Sequence, residues 1–494
     1  MADSLRILLY RPEDPADSLG LSNFIRCDPL ELASAAALID RRHEVRIFDA
    51  FFDRNISAQL RSFRPHIVGT SCYINGINQV RDFLQLVYAT VPEALTVVGG
   101  VHATCNPDDF AKAVPAIIVR GEGATGFAAV VEAYASGGRA SLAGLPGTSL
   151  LSGDGFEHAP DRPWPDPDMI PFPRRELYQR HWPRYYYAFH EPCGLMKTSY
   201  GCPYSCSFCY CWKITGGVYR SRSPESVVEE LRQLWFPEVY LVDDDFFLEP
   251  ERLIEIRDRI VAAKISKGYF AYGRADFIAA HPEIIKMWSD IGLKAVVVGV
   301  ESIRSGDLEY YRKRIQKDQN AEAFEVLRKA RVDVYASFIL GPDWTEKDFA
   351  ELRDYLFKHR IYYCILQPLM PLPGTDIWDE WKDRVILDRD HHELWDISHL
   401  CLPGKMPMAS YYREMAKLYL RTTLDPRRIF ALQPRTLDSV SWAKIARTFL
   451  GALRLLWGLR QAPGRYRKDE LARYAAGNSA PVSSGGNSTP EGLQ

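Results

Sequence analysis

The sequence predicts an α/β protein: two parallel-sheet domains in series, the second a partial barrel of six β/α units, then a helical C-terminal region. Three observations carry this. Short apolar runs alternate with helical segments through residues 1–140 and again through 191–375. Seven prolines between Pro146 and Pro173, centred on "WPDPDMIPFPRR", mark a connector over 141–190 between the two series. Beyond residue 375 the strand-like runs stop and helical stretches take over through 476, ahead of a Gly/Ser/Asn/Pro-rich tail over 477–494 that is expected to be disordered.

In the first domain "RILLY" (6–10), "EVRIF" (44–48), "HIVGTS" (66–71), "LTVVGG" (95–100) and "AIIVR" (116–120) read as buried strands, with helices between them such as 30–42 and 76–91. Such alternation builds a doubly wound parallel sheet, whose ligands sit at the carboxyl ends of the strands. The loops there are "SCYING" (71–76), "GGVHAT" (99–104) and "GEGATG" (121–126). The last formally matches the dinucleotide pattern G-x-G-x-x-G. It follows the fifth strand rather than the first, however, and no acidic residue for a ribose stands about 20 residues on. Plain tight turns are a second account of these glycines.

In the second domain the strands are "GLMKTSY" (194–200), "EVYLVDDD" (238–245), "GYFAYGRAD" (268–276), "KAVVVGVES" (294–302), "VYASFILG" (334–341) and "YCILQPLMP" (363–371), with helices such as 224–236 and 346–358. Six units are fewer than the eight of a closed barrel. The loop after the first of these strands, "YGCPYSCSFCYCWK", holds four of the ten cysteines. Cys202, Cys206 and Cys209 have the spacing C-x-x-x-C-x-x-C. Structural zinc takes four ligands, usually as two separated pairs, and no second pair follows. A [4Fe–4S] cluster held by three thiolates would keep one iron open, as catalytic sites do. The other cysteines, such as Cys27, Cys72, Cys105 and Cys364, stand singly and read as small buried hydrophobes.

Composition narrows the partners. Hydrophobic residues are 47%, charged residues 25% and the formal net charge is −2. That is ordinary for a globular chain and gives no reason to expect nucleic acid. No apolar signal segment opens the sequence, and no apolar run reaches the roughly 18 residues of a spanning helix. A reduced, cytoplasmic protein is expected. The segment 437–461, "LDSVSWAKIARTFLGALRLLWGLRQ", is amphipathic and basic. It suits either a membrane interface or packing on the barrel.

Two resemblances add to this. "VVGGVHATCNPDDF" followed by "VRGEGATGF" resembles the cobalamin-binding domain that precedes many radical S-adenosylmethionine (SAM) enzymes. The loop after the first strand, "RPEDPADSLGLSNF", has no histidine, so a cobalt ligand from it is not expected. The second domain resembles the radical SAM family throughout: the cysteine motif with Phe208 before its last cysteine, "LVDDDFFLEP", "VVGVES", "ILGPDWTEKD" and "PLPGTDIWDE". The usual "GLPGET" is altered to "GPDWTE".

The resemblances imply a [4Fe–4S] cluster on Cys202, Cys206 and Cys209, with SAM on the open iron and reductive cleavage to a 5′-deoxyadenosyl radical. Cys211 is expected not to bind iron. Cobalamin contacts are implied at Ser71, Tyr73, Gly99, Gly100, His102, Gly121 and Glu122. SAM contacts are implied at Phe208, Arg274, Gly299, Glu301 and Ser302, with Arg274 for the carboxylate and Glu301 for the ribose. Asp243, Asp244 and Asp245 either face the same cavity or form a solvated turn. Cobalamin beside a radical generator implies methyl transfer to an unactivated carbon, with an electron donor such as flavodoxin or ferredoxin. "FIRCDPLELASAAALI" and the basic C-terminal helix are similar to hopanoid C-methylases, which would make the substrate a hydrophobic polycyclic lipid and allow peripheral contact with the inner membrane face. An anaerobic tetrapyrrole cyclase and a non-catalytic cobalamin or cluster sensor remain as alternatives.

Overall fold

The computed structural model describes residues 4–19, 24–113, 115–153, 155–424 and 441–477. The expected tail lies outside them except for Gly477, which ends a helix, and so do residues 437–440 of the amphipathic segment.

Five strands form the parallel part of the first sheet: β1 (Arg6–Arg11), β2 (Glu44–Asp49), β3 (Ile67–Ser71), β4 (Leu95–Gly99) and β5 (Ile117–Val119). They lie in the order β2-β1-β3-β4-β5. Ile7, Leu8 and Leu9 are all buried because helices cover both faces, which is why the strand reads as an unbroken apolar run. Helix α1 is Leu30–Ala37, shorter than the expected 30–42, and α2 is Gly123–Gly137.

The connector differs from expectation. Its first part is a hairpin, β6 (Thr148–Ser152) and β7 (Gly155–His158), which extends the first sheet antiparallel to β5. Two short strands beside turn residues carry too little periodicity to stand out among prolines. Its last part, Tyr186–Tyr187, pairs with Ile25–Arg26 of the first domain.

The second sheet is parallel, with its strands in sequential order: β8 (Cys193–Met196), β9 (Glu238–Leu241), β10 (Gly268–Gly273), β11 (Leu293–Glu301), β12 (Asp333–Leu340) and β13 (Tyr363–Pro368). β8 and β13 are its edges, so the barrel is open. The expected strand 194–200 breaks after Met196. Thr198 and Ser199 give their backbone N–H groups to the Asp243 carboxylate instead of a ladder. Ser199–Tyr200 then pairs antiparallel with Arg220–Ser221.

Alternation sorts the strand residues. Tyr240, Phe270, Val297, Tyr335 and Tyr363 join Tyr187 and Phe189 in one aromatic core cluster, while Val239, Leu241, Ala271, Val296 and Val298 pack in the other, larger one. Helix α3 (Met408–Leu424) is fixed to β13 by the Tyr419 hydroxyl, which accepts from the Leu366 N–H at 2.9 Å. Among the described residues two helices follow, α4 (Trp442–Gln461) and α5 (Lys468–Gly477). Among the described residues no helix is long and apolar enough to cross a membrane.

Candidate active site at the seam of the two domains

The cysteine loop leaves β8 through Gly201. Its φ is +84°, and a Cβ there would stand 2.2 Å from the Val218 carbonyl oxygen, so only glycine serves. The loop is held from below by the acidic triplet after β9. Asp243 accepts from Thr198 and Ser199, and Asp244 accepts from the Gly201 N–H at 2.8 Å. Cys206 is buried, while Cys202 and Cys209 are partly exposed. Burial pushes the Cys202 thiol up to about 12. Cys209 moves the other way, because the Cys211 side chain and backbone N–H both donate to its sulfur. Among the described residues no three His, Cys, Asp or Glu side chains converge as the ligands of one metal ion would. A cluster does not ask for that, since each thiolate binds a different iron. Among the described residues no disulfide is formed.

Asp245 differs from its two neighbours. It is 2% exposed, and neither carboxylate oxygen has a hydrogen-bond partner. Burial raises its carboxyl to about 7, against the pull of Arg274 and Lys313. A buried carboxylate without donors costs free energy unless a ligand supplies them. The sign of the pH effect follows. From about pH 4 to 7 the folded chain keeps this proton and the unfolded chain has lost it, so stability falls as pH rises through that window. Asp245→Asn is expected to flatten this fall, by at most about 4 kcal/mol, in calorimetric unfolding without SAM.

The residues expected around SAM gather here, but several are already committed. Arg274 donates to Asp276 at 2.8 Å and to the Lys313 carbonyl at 2.8 Å, and its guanidinium lies 3.6 Å over the Tyr204 ring. Glu301, at φ +61°, pairs with Lys313 at 2.7 Å. A Cβ on Gly299 would meet the Glu301 carboxylate at 2.4 Å and the Lys313 ammonium at 2.8 Å. Ser302, expected as a direct contact, is 1% exposed and donates to Asp307 at 2.6 Å, so it positions the turn instead. Phe208 packs edge-on against Tyr311 at 5.6 Å.

On the first domain Ser71 ends β3 and Gly99 ends β4. Gly100 has φ +108°, and a Cβ there would stand 2.8 Å from the Cys72 carbonyl, so the two loops close on each other. Tyr73 projects from this junction. Its side chain is 69% exposed, yet desolvation by the surrounding protein raises its phenol to about 12, with Glu31, Cys211 and Tyr272 as further neighbours. Tyr272 lies on the barrel and Cys211 in the cysteine loop, so Tyr73 stands at the seam between the domains.

Two expectations need correction. Glu122 is the N-cap of α2, accepting from the Ala124 and Thr125 N–H groups, with Gly121 (φ +78°) turning the chain before it. A capping carboxylate is spent on its own helix. His102, expected to touch the corrin amides, is 1% exposed, and its Nε2 pairs with Asp109 at 2.8 Å. Arg389 also donates to Asp109, at 2.6 Å, so His102 serves the contact between the first domain and the C-terminal region.

Sequence reasoning missed Glu31, Tyr272 and Lys313. Glu31 left a usable signal: it is the one charged residue of α1, "LELASAAA". Burial raises its carboxyl as well. Lys313 left none, arriving on a loop between Arg312 and Arg314, both at positive φ.

These residues fit the implied groups: three thiols in one loop, an orphaned carboxylate behind them, and a tight loop pair facing the second domain. Residues 26–131 match the B12 binding domain and residues 196–356 the Radical SAM superfamily. The chain is 30% identical over 405 residues to the hopanoid C-3 methylase of Methylococcus capsulatus, covering 80% of this chain and 76% of that one. It is 29% identical over 363 residues to an uncharacterized methyltransferase of Pyrococcus horikoshii, covering 71% and 78%. The structure of the cobalamin-dependent SAM radical enzyme OxsB with aqua-cobalamin bound shares the fold, with a TM-score of 0.65 and 15% identity over 96% of this chain and 84% of that one. The chain belongs to the cobalamin-dependent radical SAM enzymes, whose cofactors are a [4Fe–4S] cluster, SAM and cobalamin, and among them it is a C-methyltransferase.

Proposed function

We propose that the chain methylates an unactivated carbon of a hydrophobic polycyclic lipid of the hopanoid type. The observation that carries this is the seam, where Tyr73 of the first domain has Tyr272 and Cys211 of the second as neighbours. A methyl carrier and a hydrogen abstractor can therefore serve one substrate. The identity with the Methylococcus methylase supports the lipid class.

When bound, the cluster delivers an electron to SAM and the corrin carries a methyl group. The chain's residues do the rest. Cys202, Cys206 and Cys209 hold the cluster, and Cys211 supports it through the hydrogen bond to Cys209. Asp245 receives the SAM ammonium, which provides the donors that its carboxylate lacks. Glu301, held by its ion pair with Lys313, faces the ribose. Ser71, Gly99, Gly100 and Gly121 let backbone approach the corrin, while Tyr73 keeps water from the seam. Per product one carbon–hydrogen bond and two sulfonium bonds break; one carbon–carbon bond forms in the product and one carbon–hydrogen bond forms in 5′-deoxyadenosine. Two electrons from a flavodoxin or ferredoxin balance the two sulfonium charges. Action in the cytoplasm, peripheral to the inner membrane face, belongs to the same reading.

Anaerobic assay with a polycyclic lipid extract tests it. A product heavier by one CH₂ is expected; ring closure without added carbon would favour a cyclase.

A further inference from the structure

Helix α4 has two apolar faces and only one of them is used. Thr448, Gly451, Ala452, Leu455, Gly458 and Leu459 are buried on the inner face. Arg447 fixes this side, pairing with Glu191 at 2.6 Å and lying 3.9 Å over the Tyr186 ring. The helix is therefore packed on the body of the protein and is not free to turn over. Its outer face carries Trp442, Phe449, Leu450, Leu453 and Trp457, all exposed, the two tryptophans at 85% and 64%. Spaced by 7, 1, 3 and 4 residues, they form one stripe about 22 Å long. An exposed apolar stripe of this size marks an interaction surface.

The charges beside the stripe say what covers it. No acidic residue occurs from Trp442 to Gln461. Arg454 stands one turn from both Leu450 and Trp457, and Arg460 one turn beyond Trp457. Both are exposed, and among the described residues neither makes an ion pair. Tryptophans at the ends of an apolar face with unpaired arginines at its border suit a headgroup layer over acyl chains. The helix also touches the first domain. Leu19, in the loop after β1, packs on Gly458, and Arg465 just beyond the helix donates to the Asp17 carbonyl.

We propose that the outer face of α4 is the surface by which the enzyme docks on an anionic phospholipid bilayer, with the apolar stripe immersed and Arg454 and Arg460 at the headgroups. This deepens the reading of a membrane-peripheral enzyme. Docking is measured without turnover, so either reading can fail without the other.

The test is co-sedimentation of the full chain with vesicles of phosphatidylcholine, with and without phosphatidylglycerol. Binding is expected to the anionic vesicles and to weaken as salt rises. R454Q/R460Q should lower that binding roughly 25-fold, at about fivefold per arginine, with an unchanged thermal midpoint because both side chains are exposed. Phe449→Ser with Trp457→Ser should lower it at least as much. The proposal is overturned if the parent chain does not sediment with anionic vesicles, or if both variants bind like the parent. It is also overturned if sedimentation velocity shows a dimer that the serine variant dissociates, since the stripe would then face a second copy of the chain.

Discussion

Replacement of Cys202, Cys206 or Cys209 by Ala is expected to remove the [4Fe–4S] absorption and reductive SAM cleavage together, while Cys211→Ala keeps both. The four cysteines lie within ten residues, so proximity does not separate them. What separates them is the bond between two: Cys211 donates to the Cys209 sulfur, and burial adds to that bond in keeping its thiol protonated. A protonated thiol is a poor iron ligand and a useful donor to a neighbouring thiolate. Cys211→Ala should therefore move the cluster's reduction potential, because hydrogen bonds to sulfur tune it. Iron analysis of anaerobically reconstituted protein and a potential titration read the two effects separately. Full iron content in Cys206→Ala, or iron loss in Cys211→Ala, would reverse the assignment.

The second large effect is stoichiometric. Each methylated product should be matched by one S-adenosylhomocysteine and one 5′-deoxyadenosine. One SAM gives up its methyl group and the other accepts the substrate's hydrogen. Deuterium placed at the target carbon should therefore appear in 5′-deoxyadenosine, as mass spectrometry would show. Homocysteine product without deoxyadenosine would mean methylation by ordinary displacement, which needs a nucleophilic substrate rather than an inert carbon. Deoxyadenosine without homocysteine product would mean hydrogen abstraction with no methyl delivered, as in a cyclase.

Much of the frame is legible in the sequence because parallel strands covered on both faces are unbroken apolar runs. β1 and β11 stand out for that reason. The cysteine spacing is legible because one loop must supply all three thiolates. The acidic triplet is not. Asp243, Asp244 and Asp245 are chemically identical neighbours, and only the folded loop shows that two hold backbone N–H groups and the third holds nothing. Glu301 is legible as a ligand contact but its partner Lys313 is not, because Lys313 arrives from a loop without periodicity. Glu122 and His102 mislead: each lies in a glycine-bearing loop, but a helix cap takes one and Asp109 takes the other.

The first domain grips the open barrel at both of its edges. Asp28, buried, accepts from the Leu195 N–H of β8 at 2.7 Å and from Tyr178 at 2.6 Å. Beyond the far edge, after β13, Asn106 donates to the Pro373 carbonyl at 2.7 Å. One hydrogen bond at each edge, Leu195 to Asp28 and Asn106 to Pro373, opposes swinging the domains apart by about 1 kcal/mol apiece. Turnover nevertheless needs two SAM molecules to meet different fates. With the walls clamped, exchange falls to the traffic of small molecules. Spent nucleoside has to leave and fresh SAM has to enter while these contacts hold, so nucleoside release is expected to slow the cycle.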